Sequence, residues 1–322
     1  MTKFYLKHII LCLCLLAGIN ASAYNNIMDI SIDGIHYDLY TSGEASVLYS
    51  ENNSGAVVIP EFVTYNDENY LVTTIREYAF YNRKELTSVT IPKSINYMYD
   101  AAFMGCTNLA SVHITDLAAW CAIDFRFILT SPLFYGARLY LNGEEITDLI
   151  IPEGVTEINW FVFQNNTSFT SVTIPESVTM VWGSAFMNCT GLTCITIGSG
   201  VKRIDGFGNF NNCSSLSDVY CLAEGVPQND EYYDDDPEYE LFYGSSIASA
   251  TLHVPAGSID LYKATSPWNK FGKIVPLTTP VNSILNDEPS ISCQSYYDLN
   301  GRCISQPHNG IYINNGRKVL VK

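Results

Sequence analysis

The sequence predicts a solenoid: right-handed, with a parallel β-sheet on one face and irregular or short helical segments on the other. Three observations predict it. First, TSVTIPESVTMVWGSAFMNCTGL from Thr170 to Leu192 and TCITIGSGVKRIDGFGNFNNCSSL from Thr193 to Leu216 match almost position by position, with Ile174 standing 23 residues before Ile197. A step of that size repeated along a chain marks stacked coils. Second, Phe80, Phe103, Phe163, Phe186 and Phe210 are followed nine and eleven residues later by apolar pairs, of which Val89/Ile91, Val172/Ile174 and Ile195/Ile197 are examples. These alternate with Ser, Thr, His and Tyr, the pattern of a strand with one buried face. Third, Pro60, Pro92, Pro152 and Pro175 close the strands, because proline cannot continue a ladder.

Taken in order, residues 1–23 read as a secretory signal peptide. Lys3 and Lys7 give a basic start, Ile9 to Ile19 is an apolar run too short to span a bilayer, and Ala21-Ser22-Ala23 is a cleavage site. No transmembrane segment is expected after its removal. Residues 24–56 read as an N-terminal β cap, with strands on either side of an Asp33-Gly34 turn. An end coil needs such a cap to cover its core.

The array runs over 57–277. Its period is broken twice. Between Ile114 and Ile151 one coil is enlarged by TDLAAWCAIDF, a short helix, and by a hairpin at Asn142-Gly143. Between Ile197 and Val254 lies the acidic insertion NDEYYDDDPEYE, after which a strand (Thr251 to Val254) and a helix (Ser258 to Ala264) form the C-terminal cap. Residues 278–295 are a polar linker. Residues 296–322 form a small β tail with hairpins at Asn300-Gly301 and Asn315-Gly316. A two-residue turn in the first would set Cys303 opposite Asp298, not opposite Cys293.

Charge and cysteine usage narrow the partners. The formal charge is −16, which repels phosphate backbones and excludes nucleic acid. Of ten cysteines, Cys12 and Cys14 leave with the signal. Cys106, Cys189 and Cys213 each fall three residues after a landmark Phe. Equivalent registers point their Cβ vectors the same way, which is wrong for bridging. They read as a ladder of buried thiols despite an oxidising destination.

The phrases TSVTIPESVTMVWGSAFMNCTGL and TSVTIPKSINYMYDAAFMGCTNL resemble the leucine-rich repeats of the BspA-like surface proteins, over roughly Val57 to Leu277. Ile-Pro, Ala-Phe, Cys-Thr and Leu recur together and in order. Arg83 and Asn166 depart from this at the Cys position, and Gly198 replaces the Pro. The resemblance implies a leucine-rich repeat solenoid at the cell surface that adheres to host matrix proteins, cell-surface proteins or glycans. The tail separately resembles the C-terminal sorting domains of type IX secretion cargo, through Tyr297-Asp298-Leu299-Asn300-Gly301-Arg302, Gly310-Ile311-Tyr312-Ile313 and Gly316-Arg317-Lys318-Val319. That likeness implies passage across an outer membrane and attachment to the surface.

Chemistry is nearly absent from the sequence. HExxH, GxSxG and GxxxxGK[ST] do not occur, and Gly206-Phe207-Gly208 lacks the third Gly of a dinucleotide loop, where Asn211 stands. His36, His113, His253 and His308 fall in different segments and read as surface groups, with His113 and His253 both at outward strand positions. Neither a catalytic grouping nor a cofactor is expected. Asp230, Asp234, Asp235 and Asp236 are the candidates for Ca²⁺, but EF-hand spacing and its Gly are missing, so a solvated acidic loop is the plainer reading. The candidate ligand contacts are outward residues of the sheet: Thr173, Thr196, Tyr220 and His253. The expectation is a non-enzymatic, secreted protein that adheres to or binds proteins or glycans. The alternative is a structural component of the cell envelope without a soluble ligand.

Overall fold

The computed structural model describes residues 26–50, 55–125, 127–205, 207–229 and 240–277, with four strands of the tail. The chain divides into two compact units, one up to Gly143 and one from Glu144.

The strands of the first unit are β1 (Asn26–Ile32), β2 (Ile35–Tyr40), β3 (Glu44–Ser50), β4 (Gly55–Val58), β5 (Phe62–Tyr65), β6 (Glu68–Ile75), β7 (Leu86–Thr90), β8 (Tyr97–Met98), β9 (Ser111–Ile114) and β10 (Arg138–Leu141). β1, β2 and β3 lie antiparallel where the sequence places the N-terminal β cap. Asp33 and Gly34 both take the positive φ that a two-residue hairpin turn demands, 51° and 78°. The repeat register hid a second hairpin, β5–β6, turning at Asn66 and Asp67. β6 then pairs in parallel with β3, which joins the cap to the first coil. β4, β7, β9 and β10 lie side by side in parallel. The short helix α1 (Leu117–Cys121) forms where TDLAAWCAIDF placed it, with Asp116 Oδ1 accepting from the Ala119 amide at 2.9 Å.

The second unit carries β11 (Glu144–Glu145), β12 (Asp148–Ile150), β13 (Glu157–Ile158), β14 (Ser171–Ile174), β15 (Met180–Val181), β16 (Cys194–Ile197), β17 (Arg203–Ile204), β18 (Asp218–Cys221), β19 (Thr251–Val254) and β20 (Lys273–Pro276). β12, β14, β16, β18, β19 and β20 make one parallel sheet, and β13, β15 and β17 a narrow second one. That second sheet replaces part of the expected irregular face, because the apolar positions around Val181 and Ile204 also recur in register. The cap helix α2 (Ile259–Ala264) follows a 3₁₀ turn at Ala256–Ser258. In the tail, β21 (Tyr296–Tyr297), β22 (Cys303–Ile304), β23 (Gly310–Asn314) and β24 (Arg317–Val321) form an antiparallel sheet. Its second hairpin pairs Asn314 with Arg317 as expected. The first is corrected by one residue: Cys303 lies opposite Tyr297, not Asp298. An odd number of residues then separates the partners, and a two-residue turn cannot span it.

The core of each unit is a stack of landmark residues. In the first unit Phe80 lies on Phe103 at 4.8 Å; within the second, Phe163, Phe186, Phe210 and Phe242 stack on one another at 5.3–5.5 Å. Burying such rings against one another is the largest apolar contribution a coil makes. Beside them runs the thiol ladder. Cys106 donates to the Phe80 carbonyl at 3.0 Å, Cys189 to Phe163 at 3.3 Å and Cys213 to Phe186 at 3.5 Å. All three are buried and free, as the register implied. Ser245, three residues after Phe242, makes the same bond to Phe210 at 2.6 Å.

A left-handed residue follows each Phe, and for all but Phe242 another precedes it. Two positions after it come Asn82, Gly105, Asn165, Asn188, Asn212 and Gly244, all with positive φ. Asn and Gly tolerate that region, and the asparagines go further by bonding along the stack, Asn188 to Asn165 at 2.7 Å and Asn212 to Asn188 at 2.8 Å.

Candidate functional site

The parallel registers of β14, β16, β18 and β19 put the four predicted contact residues in one straight row. Thr173 faces Thr196, Thr196 faces Tyr220, and Tyr220 faces His253. Ile150 and Val275 extend the row at its two ends. Strand side chains alternate between faces, so a residue two positions before each forms a second row on the same face: Asp148, Ser171, Cys194, Asp218, Thr251 and Lys273.

The strongest local geometry is at the Tyr220–His253 end. The two rings are stacked with centroids 4.2 Å apart and planes 9° from parallel. His253 Nε2 lies 3.0 Å from Asp218 Oδ1, and Ser217 Oγ donates to Asp218 Oδ2 at 2.9 Å. The His253 hydrogen bond holds the Asp218 carboxyl below the usual carboxylate range against the opposing pull of burial. Burial, with Asp218 beside it, raises the Tyr220 phenol. Each ring has one face against the other and a neighbouring strand beyond, Thr196 next to Tyr220 and Val275 next to His253. Polar edges, not open ring faces, are therefore what this end offers.

The middle of the row is closed. Thr196 is 3% exposed, and Cys194 and Ser171 beside it are 4% each, whereas Thr173, Tyr220 and His253 are partly open. Thr196 thus shares the row without presenting its hydroxyl to solvent. Cys194, which the repeat register did not single out, is disulfide-bonded. At the other end Asp148 Oδ1 accepts from Ser171 Oγ at 2.6 Å and Thr170 Oγ1 at 3.0 Å.

His113 belongs to a separate sheet, that of the first unit, where it stacks on Tyr140 at 4.8 Å and lies 3.1 Å from Ser111 Oγ. The acidic candidates Asp230, Asp234, Asp235 and Asp236 lie outside the described residues. Among the described residues no group of three or more His, Cys, Asp or Glu is placed to hold a metal ion, and no helix is long and apolar enough to cross a membrane. A groove of roughly 860 Å³ beside the second unit's coils is lined by Lys202, Arg203, Glu224, Gln228 and Pro255 among others. It contains no nucleophile–base pair.

The family described as BspA type leucine rich repeat region matches the chain in six copies, over residues 59–119 and 136–260. Among curated proteins none matches. Among solved structures, a leucine rich cell surface protein from Faecalibacterium prausnitzii is 18% identical, with 82% of this chain and 99% of that one covered at a TM-score of 0.37. The T. pallidum leucine rich repeat protein is 20% identical, covering 70% and 86% at 0.34. A leucine-rich repeat protein from Bacteroides ovatus is 18% identical, covering 78% and 77% at 0.37.

Proposed function

The chain belongs to the BspA-type leucine-rich repeat family, and from that premise we propose that it is a secreted cell-surface protein that binds a protein partner without catalysis. Its family supports a protein-interaction role. The observation that carries the site is the register that lines up Thr173, Tyr220 and His253 on one face of a six-stranded parallel sheet. Long, shallow surfaces of this kind suit extended contacts better than enclosed substrates. The edge-on rings and the Asp218–His253 bond favour hydrogen-bonded recognition over sugar stacking on an open ring face. Export by the N-terminal segment, and surface attachment through the tail, complete the reading.

The test is a binding screen of the full secreted chain against matrix proteins and a glycan array, with and without Ca²⁺. A saturable protein ligand whose affinity falls on exchanging Tyr220 and His253 for Ser supports the reading. An affinity that both exchanges leave unchanged removes this face as the contact. Absence of any saturable ligand, with copurification of envelope partners, would instead favour a scaffold role.

A further inference from the structure

A second surface lies in the first unit, on the turns that carry the landmark residues Phe80 and Phe103 and beside the end of β8. Tyr78, Tyr81 and Tyr99 are exposed there by 49%, 47% and 39%. Tyr78 and Tyr81 touch edge to face at 5.4 Å, and Tyr99 meets Tyr97 in the same way at 4.5 Å. The two turns are neighbours, because the Tyr78 amide donates to the Asp100 carbonyl and the Asn82 amide to that of Met104. The three rings therefore share one surface.

Tyr78 is out of place by the rules of the fold. It sits two residues before its landmark Phe, where φ is positive in five of the six landmark turns: 60° at Tyr78, then Ala101, Phe161, Ser184 and Gly208 at 54–62°. Small residues satisfy that turn in three of the others. A bulky side chain in the left-handed region is disfavoured, and an exposed one gains little burial in return. Packing alone does not account for a tyrosine here.

The surroundings define the contact. The carboxylates of Glu77 and Asp100 both raise the Tyr78 phenol. Tyr99 already carries a guanidinium, that of Arg76, at 5.2 Å from the ring centroid. Rings backed by carboxylates attract cations, and arginine is the side chain that uses both. Of the other cations on the first turn, Arg83 takes the inward register of the thiol ladder and Lys84 stands at its far end. The chain's charge of −16 would draw a basic partner toward it.

We propose that Tyr78, Tyr81 and Tyr99, with Glu77 and Asp100, form a docking surface for an arginine- or lysine-rich segment of a partner protein. It is independent of the strand-face site, so Tyr220 and His253 exchanges leave it intact.

The test measures binding of a short peptide of alternating arginine and glycine to the full chain at physiological salt. A glutamate–glycine peptide and a neutral oligosaccharide serve as comparisons. The double variant Tyr78→Gly/Tyr81→Ser changes no charge, so bulk attraction to an acidic protein is held constant. It is expected to weaken the basic peptide by about fivefold or more, with a thermal midpoint unchanged or raised, since Gly208 already serves at the same position. Glu77→Gln should weaken binding and flatten its salt dependence. The proposal is overturned if the wild type does not bind the peptide, if the double variant binds it equally well, or if the neutral oligosaccharide binds better.

Discussion

His253 stacks on Tyr220 across two parallel strands, 4.2 Å between ring centroids. The pairing recurs. His36 stacks on its cross-strand partner Tyr49 at 4.1 Å, and His113 on Tyr140 at 4.8 Å. All three described histidines therefore stack on a tyrosine. Two of them also have an aspartate in reach, Asp29 for His36 and Asp218 for His253.

Asp218 makes that arrangement pH-dependent. Its folded pKa is depressed, chiefly by the bond from His253. The resulting stabilisation is present above the unfolded carboxyl value of about 3.9 and is lost as pH falls through the lower folded value. Asp218 is 39% exposed, so the contribution is screened and small. Asp218→Asn should lower the thermal midpoint by about 1–2 °C at neutral pH and by nothing measurable near about pH 2. Melting curves of both proteins at the two pH values check this; a gap that persists in acid would mean the variant damages packing instead.

The thiol ladder predicts which substitutions it tolerates. Ser245 performs at Phe210 the bond that Cys213 performs at Phe186, so a hydroxyl fits this register. Cys213→Ser should cost under about 1 kcal/mol, while Cys213→Ala leaves the Phe186 carbonyl only the long bond from the Cys189 amide at 3.4 Å and should cost ~1–2 kcal/mol. Denaturant titration separates the two. The same burial pushes the Cys106 thiol up to about 11 and Cys213 up to about 12, so at mildly alkaline pH neither should react with iodoacetamide until the protein unfolds.

These details set the limit of what the sequence discloses. The coil period, the strands and the alignment of one outward row are readable because inward residues repeat at one spacing, and Thr173, Thr196, Tyr220 and His253 fall between them. Phe242 does not read as a landmark in the sequence, since the acidic insertion separates it from Phe210 and the following strand begins one residue late. The β5–β6 hairpin was missed because it lies inside a coil whose Ile-Pro landmark is intact. The closure of the row at Thr196 could not be read at all: alternation tells which face a residue takes, not whether that face is covered. Tyr78 escaped notice for a related reason. Its meaning depends on a positive φ that only the stacked turns reveal.

The Phe stack should be most sensitive at its centre. Phe186 has a ring on each side, Phe163 at 5.4 Å and Phe210 at 5.3 Å, and is fully buried. Phe186→Ala removes both contacts and opens a cavity that the coils above and below cannot close without breaking their strand ladders. The expected loss is ~3–5 kcal/mol, against ~1–2 kcal/mol for Phe186→Leu, which keeps most of the volume. Chemical denaturation gives both. Equal losses would mean that ring stacking, not filled volume, is what the position supplies.

Two glycines distinguish side-chain from backbone crowding between coils. A Cβ on Gly183 would meet Trp160 Cζ3 at 2.2 Å and Phe207 Cβ at 2.7 Å, whereas a Cβ on Gly200 would meet the Glu176 carbonyl oxygen at 1.7 Å. Trp160 is the hub of a side-chain cluster with Trp182 and Phe207, and the end of its ring can be trimmed. The Glu176 carbonyl cannot. Gly183→Ala should therefore destabilise, and Trp160→Ala should recover part of that loss in the double variant, a favourable coupling in a double-mutant cycle. Gly200→Ala should destabilise at least as strongly with no side-chain change able to relieve it, because only a shift of one whole coil against the next makes room. Additive losses at Gly183 and Trp160 would show that the Phe207 contact alone fixes the need for glycine there.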